Sequence, residues 1–516
     1  MTNRISISLA ATGALALSLS ATGSTPALAQ KSKDTLRMPH NVQLQTIDFF
    51  ITPGPWDGVF SPAIYSGLID FNPKTGKYVP NIAKSWKQVD PVTYEFELFN
   101  DLKWSDGEAI DADDVVYIIN WLVDPKVRLR LKANWTFIKA AEKLGPHKVR
   151  IVTKRPTPFA LQRLAHRTYI YPEHIHGPID AKKKRLFASK GVSYGAYRLA
   201  RFDKARGHMF VKNDGYRGNE VMPKAKIGTV VSPLIPDAGT RTAQLLSGQI
   251  DLTRQITPEI AINTAKTGRF IHSALEGLGF QYVAVYGQSQ ENVKALADLR
   301  VRRAIGMAID RDTVQKLHAA GAKINDPMNA ICVPAQIGCG FTKTTPAYDP
   351  AGAKKLLAEA GFGDGFDVKI TTFAGSIKKD AQVVAGMLRK VGLRPTVQGV
   401  PIPSARKLAR DRKLELIYYA WGGGGIYDVS AAMARFFMRP EFEDKELRAM
   451  ARKTMSIMDP EARKAVVTKA IDYAVDKGYL YPMIRNVVHS LHTKEVVITP
   501  AVQRPLGYIL SDLSWK

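Results

Sequence analysis

The segment Gly191–Gly195 matches the G-x-S-x-G pattern that surrounds the nucleophilic serine of many hydrolases. In such enzymes an apolar strand precedes the serine and a helix follows it, so that the hydroxyl is presented at a sharp turn. Here the basic residues Lys182–Lys184 lie upstream, and an alternating strand-like segment, Tyr197–Phe202, lies downstream. We therefore predict a glycine-containing turn before a strand, no catalytic role for Ser193, and a protein that is not an enzyme.

Three histidines lie close together in the sequence, at His166, His174 and His176, and imidazole is a common metal ligand. A metal site would usually add cysteines or regularly spaced carboxylates, and this segment has neither. We interpret the histidines as solvated loop residues, and we predict neither a metal site nor a cofactor.

The chain has two cysteines, Cys332 and Cys339, in one loop that also contains proline and glycine. In an oxidising compartment, two cysteines this close together usually form a disulfide. The alternative is a two-thiolate metal or redox site, but such sites usually have C-x-x-C spacing. We predict a structural disulfide.

The first 29 residues have the pattern of a secretory signal peptide. Arg4 is the only charged residue in this segment, an apolar stretch covers Ile5–Leu19, and Ala27–Ala29 forms an A-x-A cleavage pattern. The alternative, an anchoring helix, is disfavoured because the stretch is shorter than the ~20 apolar residues that span a bilayer. We expect export to the periplasm with cleavage after Ala29, and no lipid attachment because no cysteine lies near that site.

The composition allows a large folded core: of 516 residues, 45% are hydrophobic and 23% are charged. The net charge of +26, from 73 basic and 47 acidic residues, raises nucleic acid, anionic lipid and anionic solutes as partners. An exported protein meets little nucleic acid, so we predict no nucleic-acid partner. The positive field favours anionic solutes or proximity to anionic lipid.

Helix and strand patterns predict a mixed α/β chain. In the second half, helices are predicted at 351–360, at 381–390 and from Pro460 to Val475, alternating with strands at 280–286, 366–372 and 414–420. The first half is richer in short strands, including 93–98, 147–153 and 196–212. Helices alternating with apolar strands indicate sheets covered by helices, and the two halves differ enough to suggest two lobes.

Four blocks in order along the chain carry a family resemblance: 64–86, 102–116, 301–311 and 348–361. They resemble blocks of the periplasmic peptide/nickel-binding proteins, solute-binding protein family 5, which are large extracytoplasmic receptors of ABC importers. In the second block, Asp106-Gly107 suits a tight turn and Asp111 can cap the helix that follows.

The resemblance implies an α/β, two-lobed periplasmic-binding-protein fold of the large peptide-binding type. The first lobe would contain residues 30–286 and 487–516, with an inserted subdomain around 85–190, and the second lobe would contain 287–486. Crossover strands near 286–288 and 485–488 would form the hinge. The implied function is the capture of a small solute, peptide-like or other, and its delivery to an inner-membrane ABC permease by a monomeric receptor. The alternatives are a secreted hydrolase and a broad-specificity, chaperone-like peptide binder.

The resemblance also implies ligand contacts at the end of the predicted strand 414–421. Peptide-binding relatives carry an aspartate about three residues after the tryptophan that matches Trp421, and it pairs with the α-ammonium of the ligand. The matching position here is Gly424, within the run Gly422–Gly425, so we expect ordinary peptides to bind poorly. Asp428 is a candidate substitute, and its alternative role is the N-cap of a helix. Gly422, Gly423 and Gly424 would allow close approach of the backbone to a ligand.

Three other residues are weaker candidates for ligand contact. Trp56 lies in the N-terminal loop that faces the cleft in relatives, as a ligand platform or as a packed aromatic. Phe373 and Ser376 end a second-lobe strand where relatives contact ligands, and Lys378 follows them with a charge that suits an anion.

Overall fold

The computed structural model describes residues 34–51, 56–180, 183–184, 187, 191–286, 293–323, 327–373, 376–422, 425–438 and 444–516. The predicted signal peptide and one predicted crossover, near Gly287, lie outside these ranges, as do Gly423 and Gly424. Within the described residues, helices of sufficient length and apolarity to cross a bilayer were not found.

Strands and helices alternate along the described chain. The strands are β1 Thr35–Arg37, β2 Ile69–Asn72, β3 Lys77–Pro80, β4 Ala83–Asp90, β5 Thr93–Leu98, β6 Ile138–Gly145, β7 Lys148–Thr153, β8 Tyr197–Asp203, β9 Gly207–Lys212, β10 Thr229–Pro233, β11 Leu252–Arg254, β12 Phe270–Val285, β13 Asp367–Thr372, β14 Arg394–Gly399, β15 Leu416–Trp421, β16 Leu480–Thr493, β17 Val496–Ile498 and β18 Leu513–Trp515. The helices are α1 Asp57–Ile64, α2 Ala112–Val123, α3 Ala160–Ala165, α4 Glu173–His176, α5 Ala238–Leu246, α6 Pro258–Ala265, α7 Leu299–Met307, α8 Arg311–His318, α9 Pro350–Glu359, α10 Ser376–Lys390, α11 Ile402–Arg410, α12 Ser430–Ala432, α13 Lys445–Lys453 and α14 Pro460–Asp476, with a π-helical turn at Met433–Phe437 after α12.

Two four-stranded sheets form in the first half of the chain. One has the order β1-β10-β9-β8, and the other has the antiparallel order β4-β5-β7-β6. The second sheet lies in the range predicted for the inserted subdomain, and α2 packs against it. Asp111 accepts hydrogen bonds from the backbone of Asp113 and Asp114 at the start of α2, so the predicted cap is confirmed.

The six-stranded sheet has the order β11-β16-β12-β15-β13-β14 and joins both halves of the chain. Its two long central strands, β12 and β16, are antiparallel and shift register between Glu276 and Phe280. Gly279 lies in this shift, where an added Cβ atom would sit 2.2 Å from the carbonyl oxygen of Trp421. A glycine is therefore required there for the end of β15 to approach the crossover strands.

The two faces of this sheet bury different sets of apolar side chains. Along β12, Val283 and Val285 pack with helices α7, α9 and α10, whereas Phe280 and Tyr282 point to the opposite face. This alternation follows from the two-residue period of a strand. The opposite face packs against α13, α14 and the first half of the chain. This side of the sheet therefore lies where the two halves of the chain meet.

The predicted elements of the second half are confirmed, with helices at α9, α10 and α14 and strands at β13 and β15. The strand β12 is longer than the predicted 280–286, because its first half pairs with β16 although its residues are only partly apolar. The predicted strand 196–212 is a hairpin of β8 and β9. Gly207 ends the turn of this hairpin with φ +109°. A Cβ atom added at this position would lie 2.1 Å from the carbonyl oxygen of Ser232, so a glycine is required.

Candidate functional site

The strand ends of β13 and β15 place aromatic side chains at one edge of the six-stranded sheet. The two strands are parallel neighbours, so their carboxyl ends meet at the same edge, which is where open α/β sheets bind ligands. Phe373 follows β13 and its ring centroid lies 3.7 Å from that of Tyr419 on β15. Both rings are half-buried, which leaves part of each available for contact. Ser376 begins the helix α10 directly after this point.

Trp421 ends β15 within an aromatic group. Its ring lies 5.5 Å from Phe280 and 5.3 Å from Phe436, and its carbonyl oxygen accepts a hydrogen bond of 3.1 Å from the side-chain amide of Asn486. Asn486 lies on the crossover strand β16, so the position of Trp421 is tied to the predicted hinge. Trp421 is half-buried and Gly422 is exposed.

Asp428 does not stand in for the missing aspartate. Its carboxylate is fully buried and accepts two hydrogen bonds from the guanidinium of Arg463, at 2.9 and 2.5 Å. It also accepts a hydrogen bond of 2.7 Å from the backbone N–H of Ser430, the first residue of α12. This contact is similar to the N-cap that was its predicted alternative role. Because these partners occupy both oxygens, the prediction of a ligand contact at Asp428 is corrected to a structural ion pair.

Trp56 is also a packed residue. Its side chain is 1% exposed, its indole N–H donates to Asn41 Oδ1 at 2.7 Å, and its ring stacks on Phe60 at 5.3 Å. The guanidinium of Arg254 covers the ring at 5.3 Å. The platform interpretation is therefore corrected: Trp56 presents no exposed face to a ligand in this structure.

A cavity of about 80 Å³ lies between the first half of the chain, the C-terminal segment and the residues that follow Trp421. Its wall includes Arg167, Tyr169, Asp70, Gly425 and Tyr427. Gly425 and Tyr427, from the second half of the chain, thus face Asp70 and Arg167, from the first half. A volume of this size holds a few water molecules or one small polar group.

Arg167 projects into this cavity from the loop after α3. Its backbone has φ +70°, an uncommon value for a residue with a side chain, and its guanidinium lies 4.7 Å from the ring centroid of Phe49. Burial lowers its pKa from the ordinary value. An added Cβ atom on Gly425 would lie 1.8 Å from Arg167 Nε, so only glycine fits there. The sequence analysis missed Arg167, and the glycine run was its only signal.

The other titratable groups around the cavity are satisfied or neutral. Asp70 accepts hydrogen bonds from Asn81 and Asn219, at 2.7 and 2.8 Å, and burial raises its pKa to about 6. Arg504 pairs with Asp512 at 2.9 Å. Burial lowers the pKa of His166 to about 3, so its ring is neutral beside Tyr427.

The predicted histidine group separates into different environments. His176 is buried, so the interpretation of a solvated loop residue is wrong for it, whereas His166 is half-buried and His174 is exposed, with a hydrogen bond of 2.8 Å to Asp106. In the part of the chain that the structure describes, no three His, Cys, Asp or Glu side chains are grouped in a way that could hold a metal ion. Ser193 is buried and the chain after it enters strand β8, as the sequence indicated.

The two cysteines are joined in a disulfide whose Cα atoms are 5.8 Å apart. The loop that it closes pairs with the segment after the glycine run. Ile337 donates its backbone N–H to Tyr427 O at 2.8 Å and accepts from Val429 N at 3.1 Å. The disulfide loop therefore supports the segment that forms one wall of the cavity.

Comparison with known proteins gives the same architecture throughout. A crystal structure of NikA from Brucella suis in complex with Fe(III)-EDTA superposes with a TM-score of 0.80 at 22% identity, covering 93% of this chain and 100% of that one. The dipeptide-binding protein of Escherichia coli is 23% identical over 443 residues, 81% of each chain. Heme-binding protein A of Haemophilus influenzae is 22% identical over 493 residues, 87% of this chain and 86% of the relative.

The fold is therefore that of two-lobed periplasmic binding proteins, as predicted. Residues 77–442, most of the chain, match the family described as bacterial extracellular solute-binding proteins, family 5 Middle. This protein belongs to family 5 of the bacterial extracellular solute-binding proteins.

Proposed function

We propose that this protein is the extracytoplasmic substrate-binding component of an ABC importer, which captures a small solute between its lobes and delivers it to a membrane permease. The observation that carries the proposal is the family match over residues 77–442, together with the aromatic strand ends at Phe373 and Trp421. Relatives with similar coverage are named for binding a dipeptide and heme, so family membership alone does not fix the ligand.

The lobes that we propose are 30–286 with 487–516, and 287–486. The register shift of β12 and β16 between Glu276 and Phe280 supports a crossover at this place, because a break in the ladder is a natural bending point. The ion pair of Glu276 with Arg485, at 2.7 Å, spans the same position. Closure of the lobes would then bring the ends of β13 and β15 against the cavity that contains Arg167.

The proposal includes a mature, exported, monomeric receptor that binds its ligand without catalysing a reaction. The predicted signal peptide supports export. A hydrolase would need Ser193 exposed at a strand-to-helix turn, and its buried position before β8 does not provide this.

Native mass spectrometry of the protein made in its own host tests the proposal. We expect one small molecule bound per chain, released when the protein is unfolded, and a double substitution Phe373→Ala/Trp421→Ala should reduce its retention at least tenfold. Tyr348→Ala is the matched control, because Tyr348 is an exposed aromatic residue outside the ring contacts of Phe373 and Trp421. Absence of any bound molecule, with no saturable binding of host metabolite fractions, would contradict the proposal.

A further inference from the structure

Tyr427 belongs to the second lobe that we propose, but its side chain packs into the first. Its hydroxyl donates a hydrogen bond to the carbonyl oxygen of Gln503, and its backbone N–H donates one of 3.2 Å to Gln162 Oε1. Its ring centroid lies 5.6 Å from that of Phe71 and 5.2 Å from that of His166. These four partners lie in the proposed first lobe, and only 1% of Tyr427 is exposed. The residue therefore crosses the boundary between the lobes.

The first-lobe partners are held by contacts of their own. Arg504, the residue after Gln503, forms an ion pair of 2.9 Å with the buried Asp512. Gln162 is buried in the helix α3, which packs against the strand β2. We call this part of the first lobe the tyrosine socket, and it is formed by Phe71, Gln162, His166 and Gln503.

On the other side of the boundary, the disulfide loop and a buried ion pair hold Tyr427. Ile337, in the disulfide loop, donates its backbone N–H to the carbonyl oxygen of Tyr427 at 2.8 Å and accepts from the N–H of Val429 at 3.1 Å. The carboxylate of Asp428, between these two residues, accepts the guanidinium of Arg463 at 2.9 and 2.5 Å. Tyr427 is thus fixed to the second lobe and has to move with it.

We propose that Tyr427 is the latch of the receptor, a positioning residue whose insertion into the tyrosine socket stabilises the closed arrangement of the two lobes. The inference rests on the proposed function, because it takes the lobes to open and close around a solute. A side chain that is fixed to one lobe keeps its hydrogen bonds to the other only while the lobes are together, so these bonds favour the closed form.

The latch determines how tightly any solute is held without choosing among solutes. The apparent affinity of a two-state receptor scales with the population of its binding-competent form. A weaker latch lowers that population before any solute is bound. We therefore expect it to reduce the affinity for different solutes by the same factor.

The distance between the lobes tests the proposal without a ligand. Spin labels on p-acetylphenylalanine, introduced at the exposed positions Val89 in the first lobe and Tyr348 in the second, report the open and closed populations by pulsed electron resonance. Tyr427→Phe removes the hydroxyl and keeps the ring. We expect it to raise the ratio of open to closed molecules about 3- to 10-fold, the effect of one net hydrogen bond. The measurement is made on protein as purified and on protein stripped by unfolding, dialysis and refolding.

Gln162→Leu removes the other acceptor from the opposite lobe and should shift the populations in the same direction. Tyr473→Phe is the matched control, because its hydroxyl donates to Asp444 Oδ2 at 3.0 Å within the second lobe alone. We expect it to leave the distances between the lobes unchanged. Circular dichroism confirms that each variant has folded.

A distance distribution that Tyr427→Phe leaves unchanged in both preparations would overturn the proposal. So would a shift of the same size in Tyr473→Phe, because the effect would then come from any lost tyrosine hydrogen bond. A purely structural role would lower the free energy of unfolding without changing the distances. Failure of the proposed function is separate: it would appear in native mass spectrometry as the absence of any co-purified small molecule, whereas the populations of the stripped protein do not depend on one.

Discussion

Among single residues, Asp428 shows how a carboxylate near a ligand site acquires a structural role. Its position four residues after Gly424 made it a candidate for the ligand, but Arg463, 35 residues later, binds both of its oxygens. The pair is nearly inaccessible to solvent, with side chains 3% and 1% exposed. The effect of such a buried pair on stability is largest when one partner is removed, because the remaining charge then stays buried without a counter-charge.

We expect Asp428→Ala to lower the free energy of unfolding by about 3–5 kcal/mol, the usual cost of leaving one member of a buried pair. Chemical denaturation measures this loss. The double substitution Asp428→Leu/Arg463→Met should recover most of it, and Asp367→Ala, which breaks the exposed pair with Arg394, should cost less than about 1 kcal/mol. If Asp428→Ala left stability unchanged but abolished solute binding, the ligand role would be restored.

His208 gives a pH dependence at the same scale. It is fully buried between Phe202 and His40, neither ring nitrogen has a hydrogen-bond partner, and burial lowers its pKa to about 3. Below about pH 6.5 this histidine binds a proton in the unfolded chain but stays neutral in the folded chain. The free energy of unfolding is therefore highest above that pH and falls as the pH approaches 3.

His208→Phe removes this difference in proton uptake while keeping a flat ring beside Phe202. Between pH 7.5 and pH 5, the wild-type protein should lose roughly 2 kcal/mol more unfolding free energy than the variant. Urea denaturation at the two pH values measures both losses. Equal pH dependence of the two proteins would show that His208 is protonated in the folded state.

Among the elements, the two parts of the candidate site are positioned differently: the strand ends by the sheet, and the segment after the glycine run by the disulfide loop. The ends of β13 and β15 belong to two apolar strands that the sequence pattern predicted, and the structure pairs these strands in parallel. The described residues 425–429 form no regular strand, and they are held instead by backbone pairing of Ile337 with Tyr427 and Val429. The position of this cavity wall therefore depends on the loop closed by Cys332 and Cys339.

Unfolding in the absence of reductant should leave no thiol that reacts with iodoacetamide, because both cysteines are in the disulfide. Cys332→Ala/Cys339→Ala should lower the free energy of unfolding by about 2.5 kcal/mol on the loop-entropy argument for so short a loop. Denaturation of the reduced wild-type protein provides an independent measurement of the same loss. Two reactive thiols in the unreduced protein would contradict the pairing.

At the scale of the whole molecule, the proposed function requires two lobes that move relative to each other. Contacts from both lobes to one ligand exist only when the lobes are closed, so the ligand shifts the population toward the closed form. The ligand also binds the folded chain and not the unfolded one, which raises the melting temperature.

We expect protein as purified from its host to have a smaller radius of gyration than the same protein after unfolding, dialysis and refolding to remove bound molecules. Small-angle scattering measures the difference, and circular dichroism confirms that the stripped protein has refolded. An unchanged radius would mean that the lobes or the hinge are assigned incorrectly.

The sequence alone determined the family, the mixed α/β class and most second-half elements, because strand alternation, helix-capping residues and the four family blocks are local patterns. It also identified the strand end at Trp421 and the cysteine pair. The tertiary structure decided which of the candidate side chains are already covered or paired within the protein. Asp428 is neutralised by Arg463, Trp56 is covered by Arg254, and Arg167 meets Gly425 across half of the chain. Such pairings depend on the approach of distant segments in three dimensions, and no local spacing in a single sequence encodes which distant partner a charge will meet.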